Sequence, residues 1–487
     1  MTEVALPEAF FDPSKRDKKL ILAISDIPLA ATGVAVQFNQ MITYLLGTGE
    51  YMLYVIGGAV QHPDMNIKIV TSDFIIEPCI GQGNREIVRA RLADLQPDAV
   101  FIFTDPHQYI YLWEMSDEVK QICPILYWHV WDNDPYPDCN TMWYNDTDFI
   151  GAISKLTYDL VSSKFPEKTK YIPHTFSPHL YFPLPKESKQ RAAEFFFQQR
   201  ADWFKLLWVN RNGGRKQLIE LLQTFKDFLD ELELAEGHRK SVLLIRTEPD
   251  DIEGPNVKAN IDLLGLEDNI IIVPEKLEYP LMNVLYNSAD LNLNISKAEG
   301  FGLTLLTAMN TKTLCAGVMT GGMKEQLVDQ ETGEEFGLPI KVHHRNLVGS
   351  QMVPYIYEDY ASREDILAAI RKAFCLSPEE REDIVERAYK RATGFFGYKK
   401  IMGQWKEAFD TEIAKFKANK LNKNQWTLEE IIIPSKKEAM IAVHQVKQIE
   451  EHQRMLAAQA KQNTNSELAQ NVLSNLMKQQ KDSSVGL

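Results

Sequence analysis

Apolar residues along this chain fall into a repeating pattern. Short, nearly unbroken apolar runs are followed by a turn, and then by stretches whose apolar residues lie three and four positions apart. Leu20–Ile24, Met52–Ile56, Ile67–Val70, Ala99–Phe103 and the run beginning at Pro124 read as strands. Phe38, Met41, Ile42 and Leu45 give one face of an intervening helix, and Ile87 to Leu95 another. Runs without polar alternation predict strands covered on both faces, as in a parallel sheet. Prolines from Pro173 to Pro183 and the charged stretch Lys186 to Arg200 interrupt the pattern, which places a domain boundary near residues 175–200. It restarts at Leu206–Val209, followed by a helical face of Leu218, Leu221, Leu222 and Phe225. Strands at Val242–Ile245, Ile270–Val273, Asp290–Ile295 and Leu314–Val318 follow, with a helix from Leu281 to Tyr286. Leu338 to Tyr360 departs from the pattern and reads as an insertion on the rim of a cleft. Ile366–Phe374, Pro378–Tyr389 and Tyr398–Phe416 are expected to be helical. Ile441, Val443, Val446, Ile449 and Met455 suggest a further amphipathic helix before a polar end.

Open α/β sheets hold ligands beyond the carboxyl ends of their strands, so the turns after the strands carry the candidate chemistry. After Asp290–Ile295 come Glu299-Gly300-Phe301-Gly302-Leu303, then Leu305, Leu306 and Met309 at helical spacing. The two glycines permit close ligand approach, the helix start offers unpaired amides to an anion, and Glu299 can accept from hydroxyls. After Leu206–Val209 comes Asn210-Arg211-Asn212-Gly213-Gly214-Arg215-Lys216, a cationic turn suited to a diphosphate. Gly33 sits in the turn after the first strand. His107 and Asp105, then His129 and Asp132, follow two further strands, and an aromatic loop runs from Trp131 to Tyr144.

The string Glu299-Gly300-Phe301-Gly302-Leu303 through Ala308-Met309 resembles the donor-site signature of family-4-type retaining glycosyltransferases with the GT-B fold. The resemblance extends in order over roughly residues 18 to 416 and is strongest in the second half. Phe149–Ser154 is similar to a family strand ending in serine, and Tyr171-Ile172-Pro173 through Phe182-Pro183 to the family's interdomain linker. Arg211 and Lys216 have the family's cation spacing, and Thr320–Glu325 matches a diglycine-to-glutamate turn. One position departs: the family's second glutamate, which holds the ribose, falls on Thr307. The resemblance implies two Rossmann-like domains facing across a cleft, an acceptor domain over 1–180 and a donor domain over 200–395. A helix over 396–417 crosses back to the first domain, and a helical and polar tail covers 418–487. It implies transfer from a UDP- or GDP-linked nucleotide-sugar with retention of configuration. In that frame Gly33, Arg211, Lys216, Glu299, Gly300, Phe301, Gly302, Leu303 and Thr307 bind the donor, and His129, Glu299 and Asp132 are catalytic. No Asp-x-Asp triplet dominates, so cations rather than a metal are expected to hold the diphosphate.

Composition changes this picture little. At 487 residues, 45% hydrophobic and 25% charged, the chain suits two or three globular domains. The net charge of −14 opposes indiscriminate binding to DNA or anionic membranes. Five scattered cysteines without metal-ligand spacing read as reduced thiols, and the charged N-terminal stretch does not read as a signal peptide, so a cytoplasmic location is expected. No apolar run reaches membrane-spanning length. The acceptor stays open between a carbohydrate-type hydroxyl, ranked first, a hydroxymethylated DNA base, ranked second, and a protein or lipid. Lys155, Lys164, Lys168 and Lys170 are the candidate rim for DNA. A nucleotide-sugar epimerase of the same fold and a non-catalytic binding module compete with the transferase reading, and the tail is a candidate contact for an oligomer or partner.

Overall fold

The unbroken apolar runs become strands buried on both faces. The structure, a computed structural model, describes residues 7–60 and 63–422. Eight strands build the first sheet: β1 (Lys19–Asp26), β2 (Tyr51–Gly58), β3 (Lys68–Thr71), β4 (Phe74–Pro78), β5 (Ala99–Thr104), β6 (Ile125–His129), β7 (Phe149–Ala152) and β8 (Thr169–Tyr171). Their order is β3-β4-β2-β1-β5-β6-β7-β8, parallel except for the edge pair β3 and β4. Every residue of β2, β5 and β6 is buried, which is why these segments read as continuous apolar runs. The sequence pattern missed β4 and also β8, whose last residue, Tyr171, it placed in the linker.

The second sheet holds β9 (Phe204–Val209), β10 (Ser241–Arg246), β11 (Ile270–Val273), β12 (Leu291–Asn294), β13 (Leu314–Val318) and β14 (Leu338–Ile340). Its order is β11-β10-β9-β12-β13-β14, and all of its pairings are parallel. In each sheet the chain works outward from a central strand and then resumes on that strand's other side. The two switch points lie between β1 and β5 and between β9 and β12, and open sheets hold ligands at such places.

Both sheets belong to one unit made of the described residues up to 85 and from 95 onward. Residues 86–94, inside the helix Arg85–Leu95, cluster separately. The helix Tyr398–Asn422 returns to the first sheet. Trp405, fully buried, packs against Phe101, Trp128 and Phe149 with ring centroids 5.2, 5.3 and 5.7 Å away. Gly151 makes room for it: a Cβ there would stand 2.5 Å from the indole. Residues 423–487, expected to carry a further amphipathic helix, lie outside the described residues.

The expected insertion is shorter than the pattern suggested. Leu338–Ile340 is the edge strand β14, and the departure is a two-stranded antiparallel hairpin, β15 (His344–Val348) with β16 (Ile356–Tyr360).

Candidate active site

The turns after β9 and β12 converge. A short turn at Gly214–Lys216 ends on Gln217, whose left-handed backbone (φ 57°) redirects the chain into the helix Leu218–Glu236. Lys216 thereby meets the Glu299 carboxylate in a close ion pair. Asn294 at the end of β12 donates to the same carboxylate oxygen (3.3 Å), as does the Ser296 hydroxyl (3.0 Å). The alternating Asn292 and Asn294 are therefore buried polar groups with partners, not the solvent face of a half-exposed strand. Burial pushes the Glu299 carboxyl up, but Lys216, Arg215 and the donated hydrogen bonds outweigh it and hold the group at about 2. Burial pulls the Lys216 ammonium below its ordinary value, with Glu299 opposing and Arg215 adding.

Arg215 carries this charge line toward the first sheet. Its Nη1 lies 3.6 Å from Glu299 Oε2 and 3.2 Å from Asp132 Oδ2, and it donates to the Ala298 carbonyl. Asp132 belongs to the loop after β6, so one guanidinium joins the ligand edges of both sheets. Gly300 is required where that loop arrives: a Cβ would stand 3.0 Å from Asp132 Oδ1 and 2.9 Å from Ile153. Asp105, after β5, lies beside this group. Burial pushes its carboxyl up to about 7, the Asp132 charge adds, Arg215 opposes, and Asp26 adds again. Asp26, at the end of β1, accepts from Thr32 Oγ1 (2.5 Å) and Gln82 Nε2 (2.8 Å) and is raised by burial.

Gly33 begins the helix Gly33–Gly47, whose N-cap Thr32 accepts from Ala35 N. A Cβ on Gly33 would stand 3.1 Å from Leu303 Cδ1, so these two expected donor residues face one another. Gly302 has φ 96°, a left-handed turn suited to glycine, and opens the helix Leu303–Asn310.

Five expected residues sit elsewhere. His129 is fully buried, with Nδ1 3.0 Å from the Tyr127 hydroxyl and Nε2 2.6 Å from that of Tyr144. Burial holds its imidazole down at about 3, so it is a neutral core residue with both ring nitrogens occupied. Arg211 is 60% exposed and pairs with Asp251 and Glu253, leaving Arg215 in the place its spacing had suggested. Thr307 is buried and donates to Leu303 O within its own helix (2.9 Å), so its hydroxyl does not stand out toward a ribose. Phe301 is a packing residue between His174 (5.2 Å) and Phe396 (5.5 Å). His107 engages the neighbouring Gln108 amide.

The hairpin joins the loop after β6 to the turn after β13. Buried Asn133 donates to Thr320 Oγ1 (3.2 Å), Tyr357 O (3.1 Å) and Asp359 Oδ2 (2.8 Å). Arg345 pairs with Asp359 and, at 2.9 Å, with Asp134. Tyr357 N donates to Asp134 O, and Asp359 N to Lys297 O. Beneath the hairpin lies a cavity of about 220 Å³, floored by Asp105 and Asp132 and walled by Trp131, Val348, Val353 and Ile356. Arg215 was visible in the sequence as a second cation beside Lys216. The Asn133–Arg345–Asp359 network had no local signal.

Residues 191–337 match the family model described as glycosyl transferases group 1, a stretch that contains Arg215, Lys216 and Glu299. Among curated protein sequences, none matches the chain. Sucrose-phosphate synthase from Thermosynechococcus elongatus has a similar fold, with TM-score 0.63 and 14% identity over 82% of this chain and 100% of that one. So does HepE from Anabaena in complex with UDP and glucose, with TM-score 0.59 and 14% identity over 81% and 100%. A trehalose-6-phosphate structure from E. coli bound with UDP-2-fluoro glucose gives TM-score 0.56 and 12% identity over 81% and 99%. The fold and the matched domain define the class: a glycosyltransferase with the GT-B fold.

Proposed function

We propose that this chain moves a sugar from a nucleotide-sugar to an acceptor hydroxyl with retention of anomeric configuration. The observation that carries the reading is the unbroken line Lys216–Glu299–Arg215–Asp132, which links the ligand edges of the two sheets. Lys216 and Arg215 hold the donor diphosphate and neutralise its charge as the glycosidic bond breaks, without a metal. The amides that open the helix Leu303–Asn310, with Gly33 opposite, add donors. Glu299, kept ionised, accepts from hydroxyls of the transferred sugar. The bound UDP, or UDP-linked sugar, in the structures from Anabaena and E. coli favours a UDP-linked donor over a GDP-linked one.

The acceptor occupies the cavity over Asp105 and Asp132. Carboxylates there suit a neutral hydroxyl-bearing ring, and Trp131, Val348, Val353 and Ile356 suit its apolar face. A carbohydrate-type acceptor is the reading this favours. The test is to incubate the full chain with a panel of UDP- and GDP-sugars and follow free nucleotide and sugar. Nucleotide release that Lys216→Ala and Glu299→Gln abolish supports the proposal. An isomerised donor, or no turnover of any donor, overturns it.

A further inference from the structure

On the other side of the hairpin lies a larger cavity, of about 500 Å³, whose chemistry is the reverse of the first. It sits beyond the ends of β13 and β14, outward of the donor turn. Its charged residues are Lys324, Lys341, Arg345 and Asp359, and Met319, Pro339 and Val342 supply an apolar wall. Asp359 is fully engaged: one carboxylate oxygen takes Arg345, and the other accepts from Asn133 (2.8 Å) and Thr320 (2.7 Å). Arg345 uses Nε and Nη2 on Asp359 and Asp134, which leaves Nη1 without a partner. Among the described residues, Lys324 and Lys341 have no carboxylate within ion-pair reach. In a chain with 67 acidic and 53 basic residues, two unpaired lysines and a free guanidinium edge facing one cavity make an unusual cationic spot. Like charges gathered at a partly enclosed surface repel, and a bound anion relieves that repulsion while taking charge-assisted hydrogen bonds.

We propose that this cavity binds a small phosphate-bearing molecule, held by Lys324 and Lys341 with Arg345 Nη1 at its edge, at a site separate from the donor diphosphate. The apolar wall gives room for a body attached to the phosphate, and the hairpin is shared with the acceptor cavity. The proposal stands independently of the transfer reaction, since it rests on residues that the donor line does not use.

Calorimetric titration of the full chain without donor tests it, using glucose 6-phosphate, inorganic phosphate and glucose in chloride buffers of matched ionic strength. The expected result is saturable binding of the phosphate compounds, at least a tenfold rise in their Kd in the Lys324→Ala/Lys341→Ala double variant, and a response to glucose that is the same in parent and double variant. Lys324→Arg/Lys341→Arg should retain binding, and Lys216→Ala should leave Kd unchanged. Tighter binding of the sugar phosphate than of phosphate identifies an organic ligand that uses the apolar wall. Equal binding identifies a free-anion site, and both outcomes support the shared chemistry. An unchanged Kd in the double Ala variant, loss of binding in Lys216→Ala, or no binding of either phosphate would overturn the proposal. Unliganded thermal midpoints check folding, and both lysines lack ion pairs whose loss could lower them.

Discussion

Lys216 and Glu299 meet as a closed ion pair, so in the proposed reaction the donor diphosphate draws Lys216 and Arg215 partly away from that carboxylate. The cations remain compensated throughout, which makes the exchange feasible in a buried place. Lys216→Ala and Arg215→Ala should each weaken UDP-sugar binding by about 1.5–3 kcal/mol, the worth of hydrogen bonds to charged groups. Arg211→Ala should change it by less than about 0.5 kcal/mol, because that side chain is an exposed partner of Asp251 and Glu253. Calorimetry with the three variants decides the order, and an Arg211 effect equal to that of Lys216 would contradict it. Glu325 provides a second test at this scale. It is buried, accepts from Lys155 N (3.1 Å) and Tyr171 Oη (2.5 Å), and burial pushes it from 4.5 up to about 7 despite those hydrogen bonds. A carboxyl whose folded value is raised stabilises the fold fully below its unfolded value near 4.5. That contribution is lost as pH rises through about 7. The thermal midpoint should therefore fall across pH 5 to 8, and Glu325→Gln should flatten the fall. A slope identical in the variant would remove Glu325 from the account.

Among the elements, the hairpin β15–β16 ties the loop after β6 to the turn after β13 through Asn133, Asp134, Arg345 and Asp359. Arg345→Ala leaves the Asp359 carboxylate with its Asn133 and Thr320 donors but frees Asp134. Amide exchange should then accelerate at residues 131–138 and 344–360, while the cores of both sheets stay protected. Unchanged exchange in those segments would show that the hairpin is held by other contacts. The helix Tyr398–Asn422 is anchored differently, by aromatic packing, and Trp405→Ala should cost about 3–5 kcal/mol in a denaturant titration. These elements differ in how far the sequence revealed them. Strands buried on both faces were legible because burial leaves a run of apolar letters, and so was the convergence of the turns after β9 and β12. Strand β4, paired between the edge strand β3 and β2, and the limits of the hairpin were not, since short segments at the margin of a sheet leave little periodic trace. At single positions the difficulty is direction. A residue's place at a strand end does not fix where its side chain goes, and Tyr127 and Tyr144 hold His129 in the core. Spacing in a turn likewise does not fix which cation arrives. The turn at Gly214–Lys216 and the left-handed Gln217 bring Arg215, not Arg211, to Glu299.

For the molecule as a whole, charge separates the acceptor classes. Binding to duplex DNA draws much of its strength from lysines and arginines that neutralise phosphates and release counterions, so it needs cations that are free to do so. The net charge is −14, and the lysine rim that could have offset it locally is largely committed. Lys155 pairs with Asp159, and Lys164 with Asp138 at 2.6 Å. Lys168 donates to the carbonyls of Asn145 (2.9 Å) and Thr147 (2.7 Å), leaving Lys170 exposed without such a tie. The cavity proposed for the acceptor adds two carboxylates, Asp105 and Asp132, at the place where a flipped base and its flanking phosphates would arrive. A hydroxymethylated duplex should therefore show no mobility shift with this protein even at low salt, and no label should pass to it from a UDP-sugar. Neutral sugars offered at millimolar concentration should instead accelerate nucleotide release. Salt-sensitive retardation of the duplex together with sugar transfer onto it would reverse that assignment. It would also require the DNA path to run over cations other than this rim, with Lys324, Lys341 and Arg345 the next to substitute.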